Sequence, residues 1–526
     1  MIMLNTQHDR HQETSVKILL ISPEYPDTFW SFKHALKMIN KKAALPPLGL
    51  ATVAAMLPTT WEKKLVDMNV QTLKEKDILW ADLVFMSAMI VQRESMHATV
   101  ELCHALGKKV VAGGPLVSIE PEEFDSVDYL VLNEGENTLP LFLADLEKGT
   151  PKHIYSSPER PMITEIPVPD WSLIKMNKYS SMSIQYSRGC PNDCEFCNVV
   201  TLNGHRPRTK TREQFIRELD ALYNSGWRGS VFIVDDNFIG MKKKIKEEIL
   251  PAIIEWRKNR SQAPSLFTQL TINLADDEEL MRLMVKAGFD RVFIGIETPN
   301  EESLVECHKS QNENRDLISS IKKIQNFGME VQGGFIVGFD NDPASIFKKQ
   351  IDFIQKSGIV TAMVGLLNAP RGTRLYERLK KENRIVEGFT GDNTDCSLGI
   401  VPKMKKEILI DGYQHILHTI YAPKPYYERI TTFLKEFHPH YEISVSKLKW
   451  SHVAGLFNSM FILGVVDKGR AQFWKFILTV LVKRPKFFPL SLFLAAYGYH
   501  FRKVADKIGR GYCAAPVTVP VEGEIR

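Results

Sequence analysis

Cys190-Pro-Asn-Asp-Cys194-Glu-Phe-Cys197 constrains this chain more than any other stretch. Its C-x3-C-x2-C spacing places three thiolates around a common point within one short loop. A closed structural zinc site takes four ligands, and no fourth Cys or His lies close by. Thiolates suit iron–sulfur clusters instead. Three cysteines leave one iron of a four-iron cubane open to a small molecule. The loop directly follows a strand-like run, Met182–Ser187. Of the remaining cysteines, Cys103 reads as core, Cys396 and Cys513 as structural, and Cys307 as structural with a catalytic or quenching role as the alternative.

Before that loop, short apolar runs alternate with helical patterns. Val16–Ser22, Lys64–Met68, Asp82–Ala88, Lys108–Gly114 and Asp128–Asn133 are rich in Val, Ile and Leu, as strands buried on both faces are. Helical stretches such as Val91–Leu106 and Glu136–Glu147 intervene. The pattern predicts a five-stranded, doubly wound (Rossmann-like) α/β domain over 16–150. Ligands bind such sheets beyond the carboxyl ends of the strands, here Pro23–Tyr25, Ser87–Met89, Gly113–Pro115 and Asn133–Glu136. Gly113 and Gly114 admit close backbone approach to a ligand or simply form a tight turn. No G-x-G-x-x-G follows the first run, which argues against a nicotinamide site.

Ser157–Asp170 contains four prolines and marks a linker over 151–175. Six further strand candidates follow: Met182–Ser187, Ser230–Asp235, Phe267–Asn273, Arg291–Glu297, Gln332–Phe339 and Ala362–Leu367. With the helical patterns between them they predict a partial (β/α)6 barrel over 176–383, with its chemistry at the strand C-termini. The alternation then stops, and 384–526 reads as a mainly helical extension. Within it, Arg470–Arg510 carries nine Lys/Arg and one Asp among many aromatics. Such a segment either packs its aromatics on the barrel or lies flat on an anionic membrane.

At 526 residues the chain needs two or three units, and 44% apolar with 25% charged residues is a globular balance. The net charge, 67 − 62 = +5, does not point to a nucleic-acid binder. Met1–Ser15 lacks the apolar core of a signal peptide. The uncharged stretches Ala43–Trp61 and Trp450–Val466 are interrupted by prolines or polar residues, so neither is a convincing span. A cytoplasmic enzyme, with peripheral membrane contact through 470–510 as the variant, is the expectation.

The cysteine motif after the first strand of a six-unit barrel resembles the radical S-adenosylmethionine (SAM) enzymes. The resemblance covers Ser181–Asn383 and implies a [4Fe–4S] cluster on Cys190, Cys194 and Cys197, its fourth iron chelated by SAM. One-electron reduction then releases a 5′-deoxyadenosyl radical, shielded within the barrel. It further implies that Phe196 packs on the adenine, that Asp235 and Asp236 stand where the methionyl amine binds, and that Glu297 holds the ribose. Gly334 and Gly338 match the adenine-binding G-x-I-x-G, with Asn341 where an acidic residue often closes that motif. A flavodoxin- or ferredoxin-type electron donor is implied as well.

The preceding domain resembles that of the cobalamin-binding subfamily through Pro46–Leu50, Gly113, Gly114 and the Glu134-Gly-Glu136 loop. The D-x-H-x-x-G signature is missing, which implies cobalamin without a protein histidine beneath cobalt. Over most of its length the chain resembles hopanoid C-2 methyltransferase-like proteins. The resemblance implies methylation of an unactivated carbon of a small-molecule or lipid substrate through methylcobalamin. A cobalamin-using cyclase or ring-remodelling enzyme is the alternative, and a non-catalytic iron–sulfur carrier the alternative from another class.

Overall fold

The computed structural model describes residues 15–386, 390–392, 394–439 and 450–508; Cys513 and the end of the 470–510 segment lie outside them. The first sheet comprises β1 (Lys17–Ser22), β2 (Glu62–Asp67), β3 (Leu83–Ser87), β4 (Lys109–Gly113), β5 (Tyr129–Val131) and β6 (Ile154–Tyr155). All neighbours are parallel, in the order 2-1-3-4-5-6. Five strands fall on the five apolar runs. The short sixth comes from the proline-rich stretch, whose Tyr155 is buried and whose carbonyl accepts from Leu132 N (2.8 Å).

β1 explains why these runs read as continuously apolar. Ile18 and Leu20 feed a core shared with the barrel, while Leu19 and Ile21 feed a separate cluster on the opposite face. The strand order reverses at the β1–β3 pair, the point where doubly wound sheets bind ligands.

The second parallel sheet runs in the order β7 (Ser181–Ile184), β10 (Ser230–Ile233), β11 (Leu266–Leu270), β12 (Phe289–Glu297), β13 (Glu330–Val337), β14 (Ala362–Leu366). Between its first two strands, β8 (Ser187–Arg188) pairs antiparallel with β9 (Arg208–Thr209). The crossover helices lie where the 3.6-residue pattern puts them, and several begin at a side-chain cap. Thr211 accepts from Gln214 N (3.1 Å) and Asp277 from Leu280 N (3.0 Å).

Beyond the barrel come helices Lys406–Tyr421, Pro423–Glu436, Trp450–Phe461, Arg470–Lys483 and Phe488–Lys507. Phe473 and Phe476 turn inward onto Tyr427, with ring centroids 6.4 and 5.1 Å away. Helix Phe488–Lys507 approaches so closely at Gly498 that a Cβ there would sit 2.1 Å from the Tyr426 ring. The aromatics of 470–508 therefore largely pack on the body, whereas Leu478, Leu481 and Val482 face out. No helix among the described residues is long and apolar enough to cross a membrane.

Candidate active site

The cysteine loop is an excursion closed at its base by the β8–β9 pair. Gly189 turns the chain into it with φ +100°, and a Cβ there would lie 2.9 Å from Gly204 O. Cys190 N donates to Gly204 O (3.1 Å), and Cys197 N to Cys194 O (3.2 Å). All three cysteines are half-buried and free. Desolvation pushes the Cys197 thiol up to about 12 and raises Cys190 in the same direction. Thiolates there need a cation to hold them, and metal binding would release their protons. This donor set fits a cluster.

Two acids from the end of β10 hold the loop. Asp235, wholly buried, accepts from Tyr186 N (2.7 Å) and Ser187 Oγ (2.5 Å). Burial pushes it up to about 7, against the pull of those bonds. Asp236 accepts from Gly189 N (2.8 Å) and Asn203 Nδ2 (2.9 Å).

Across the barrel mouth, β12 ends in a register shift at Gly295/Glu297, and Glu297 adopts φ +63°. That bulge turns its carboxylate onto Lys309 Nζ (2.6 Å). Burial opposes the charge on Lys309, but Glu297 and the cysteines facing it hold its pKa above the ordinary lysine range. Gln311 Nε2 reaches Cys194 Sγ (3.7 Å). Gly334 lies beneath the Phe293 ring, which a Cβ would meet at 3.0 Å, and Gly338 has φ +107°. Asp342, one residue beyond Asn341, closes this turn by accepting from Gly338 N (2.9 Å) and Phe339 N (3.1 Å). Phe196 stands 6.3 Å from Phe339.

Phe196, Glu297 and Gly334 line one cavity of about 280 Å³, together with Trp30, Phe293 and Met363. Trp30 comes from the β1–β2 connection, and neither it, Phe293 nor Lys309 was identifiable as a site residue from sequence. Trp30 reaches the cavity from the first domain, Phe293 lines it from β12, and Lys309 meets Glu297 at its edge; none of them belongs to a local motif. Cys307 is buried, and its carbonyl accepts from Glu195 N (2.9 Å) inside the cysteine loop. Cys396, read as an isolated structural cysteine, is disulfide-bonded.

In the first domain, Gly113 and Gly114 occupy the end of β4. A Cβ on Gly114 (φ +91°) would meet Ser87 Oγ at 2.3 Å, and one on Gly113 would meet Val131 O at 2.8 Å. Packing alone demands both glycines. Glu134 accepts from Arg208 Nη2 (2.7 Å) and Arg188 Nη1 (2.7 Å), so its carboxylate joins the end of β5 to the β8–β9 pair.

An open cysteine loop on a partial barrel, behind a sheet that reverses order at β1–β3, defines a radical SAM enzyme with a cobalamin-type domain. The comparisons agree. Residues 184–354 match the radical SAM superfamily, 37–143 the B12 binding domain, and 373–513 a domain of unknown function, DUF4070. The chain is 39% identical to an uncharacterized methyltransferase of Synechocystis sp., covering 92% of this chain and 91% of that protein. It is 32% identical to the hopanoid C-2 methylase of Rhodopseudomonas palustris, covering 96% of each. The fold is similar to that of OxsB, solved with aqua-cobalamin and SAM (TM-score 0.60, 16% identity, 94% of this chain and 84% of that one). It is also similar to TsrM from Kitasatospora setae with cobalamin and a [4Fe–4S] cluster (TM-score 0.56, 14% identity, 94% and 100%). The chain belongs to the cobalamin-dependent radical SAM methyltransferases. It is an enzyme whose cofactors are a [4Fe–4S] cluster, SAM and cobalamin.

Proposed function

We propose that Cys190, Cys194 and Cys197 hold the cluster and that the enzyme methylates an unactivated carbon of a hopanoid-class lipid at a membrane surface. When bound, the cluster and SAM supply a 5′-deoxyadenosyl radical and cobalamin supplies the methyl group. The chain's own residues do the rest. Lys309 gives one bond to Glu297 and keeps N–H groups for the methionyl carboxylate, while Glu297 serves the ribose. Gly334 and Gly338 leave a flat wall for the adenine, and Phe196 covers it. Asp235 and Asp236 act as positioning residues, since their oxygens grip the backbone and side chains that aim the cysteines. Gly113 and Gly114 at the end of β4 would hold cobalamin, and Glu134, just after β5, ties that domain to the β8–β9 pair at the base of the cysteine loop. The strand ends Pro23–Tyr25, Ser87–Met89 and Gly113–Pro115 contain no histidine. A flavodoxin- or ferredoxin-type protein supplies the electron in this reading.

One observation carries the lipid assignment. Phe457, Phe461, Val465 and Val466 are exposed and run into Trp474, Leu478, Leu481 and Val482 where Trp474 Nε1 donates to Gly464 O (2.9 Å). Val482 is 83% and Phe457 71% exposed. Around this crest, Lys468, Arg470, Lys475, Lys483 and Lys486 enter no ion pair among the described residues. Asp467, the one acid between residues 455 and 490, is buried against Arg502 (2.6 Å). Apolar side chains flanked by free cations fit an anionic bilayer, where each cation near the surface gains about 1 kcal/mol. The relative named as a hopanoid C-2 methylase supports the substrate class.

The test is anaerobic turnover with anionic vesicles holding an unmethylated hopanoid. A lipid product heavier by one methylene is expected, with S-adenosylhomocysteine and 5′-deoxyadenosine formed in equal amounts. SAM cleavage with no methylated lipid would sink the substrate class alone. Absence of both cleavage and cobalamin binding would sink the whole reading.

A further inference from the structure

Asp27, His34 and His500 meet at a place that the proposed chemistry does not use. Asp27 and His34 belong to the connection between β1 and β2, and His500 to helix Phe488–Lys507. One donor atom of each lies within 4.8 Å of the other two. Asp27 Oδ2 is 3.0 Å from His34 Nε2, and the His34 and His500 ring centroids are 5.5 Å apart.

Two of the three are already oriented from behind. Ser31 Oγ donates to Asp27 Oδ1 (3.0 Å), leaving Oδ2 toward the imidazole. His500 is wholly buried, and its Nε2 is 3.2 Å from Phe29 O. That bond assigns the proton to Nε2 and the lone pair to Nδ1. Nδ1 is itself buried and has no hydrogen-bond partner. A fold seldom leaves such an acceptor bare. His500 therefore donates one nitrogen to a backbone carbonyl and keeps a bare second nitrogen on a ring that lies beside another imidazole and a carboxylate, the second-sphere arrangement of a metal ligand.

We propose that Asp27, His34 and His500 bind a zinc ion, with water in the fourth position. Two imidazoles and a carboxylate suit zinc in both charge and donor type. Donors held 2.0–2.2 Å from a tetrahedral ion sit about 3.3 Å apart, so the Asp27–His34 pair already has the bite and the widest separation closes by roughly 1.5 Å. The consequence is architectural. Phe29 and Trp30 lie between Asp27 and His34 and line the cavity at the barrel mouth. Trp30 rests on Phe293 (5.2 Å) and Phe29 on Phe501 (5.8 Å). The ion clips the segment that lines the substrate cavity to the C-terminal helix.

The test is zinc and iron content, measured together on the full, cluster-reconstituted chain after dialysis against zinc alone. One zinc per chain beside an unchanged iron content is expected for the wild type. His34→Gln and His500→Gln keep a donor for Asp27 and Phe29 O respectively, and each should lose the zinc but not the iron. Zinc K-edge absorption of the wild type should show nitrogen and oxygen neighbours only. This reports on the site even if a variant folds poorly. Wild type without zinc, variants that retain it, or sulfur neighbours that place the ion on the cluster cysteines would each overturn the proposal. SAM cleavage is scored separately, so failure here leaves the proposed reaction standing.

Discussion

Arg188 clasps Glu136 with both terminal nitrogens, Nη2 to Oε1 at 2.8 Å and Nη1 to Oε2 at 3.0 Å. One end of this clasp lies two residues before Cys190, and the other in the first turn of the helix Gly135–Glu147 that follows β5. Burial alone would raise Glu136, but the bonds from Arg188 carry its pKa below the ordinary carboxylate range. The pair is thus one of the joints that set the distance between the two cofactor domains. Removing one partner of a buried pair costs about 3–5 kcal/mol, less here because Glu134 still faces Arg188. In Glu136→Gln, S-adenosylhomocysteine formation should fall by about tenfold, as expected when reacting groups are held less well. 5′-Deoxyadenosine should continue to form. The ratio of the two nucleosides is the measurement, and an unchanged ratio counts against coupling through this joint.

Cys194→Ala and Cys307→Ala should separate sharply. The two residues lie near one another, since the backbone of Glu195 bonds to that of Cys307. Cys194 is expected to be a ligand, so its loss should remove most of the iron and all SAM cleavage. Cys307 is a buried free thiol whose truncation should cost about 1 kcal/mol of packing and leave iron content intact. Iron and sulfide assays on both variants settle the contrast.

Asp235 makes stability depend on pH. Its carboxyl titrates near 3.8 when unfolded and is pushed up to about 7 by burial in the native state. The fold therefore prefers the protonated form. The contribution is complete below about 3.8 and is lost as pH rises through about 7, up to roughly 4 kcal/mol for three units. Asp235→Asn can still accept from Tyr186 N and pair with Ser187 Oγ, and it should flatten this slope. Thermal melts of both proteins between pH 5 and pH 8 are the check, with the variant gaining on the wild type toward alkaline pH.

Two kinds of residue account for what sequence made legible. β1 is apolar at every inward position on both faces, so its run of Ile and Leu leaves no ambiguity about a central parallel strand. The cysteine spacing is equally local. Lys309 is different, because what marks it is its contact with Glu297 at the β12 bulge, which belongs to no sequence motif. Trp30 likewise reaches the cavity across the domain boundary. Asp342 replaces the expected acid one position later, which a rigid motif cannot anticipate. In the helix Arg470–Lys483, apolar residues occupy both faces, and periodicity alone does not say which face finds a partner. Phe473 and Phe476 found Tyr427, while Leu478 and Val482 found none among the described residues.

That outward face yields the last prediction. Leu478 and Val482 are one helical turn apart, both more than half exposed, on a helix whose opposite side is anchored by Phe473 and Ile477. Replacing both with Asp leaves the anchor untouched, so folding should hold. It places two anions where the apolar crest would enter the bilayer. Each buried aliphatic side chain contributes about 1.5–3 kcal/mol of transfer free energy, so losing two should weaken vesicle binding by at least about a hundredfold. Flotation with anionic vesicles measures this, with neutral vesicles as the arm that isolates Lys475 and Lys483. Iron content and SAM cleavage in solution should match the wild type, because the crest lies outside the cavity. A double variant that floats as well as the wild type would remove the membrane surface from the reaction, and with it the reason for preferring a lipid substrate.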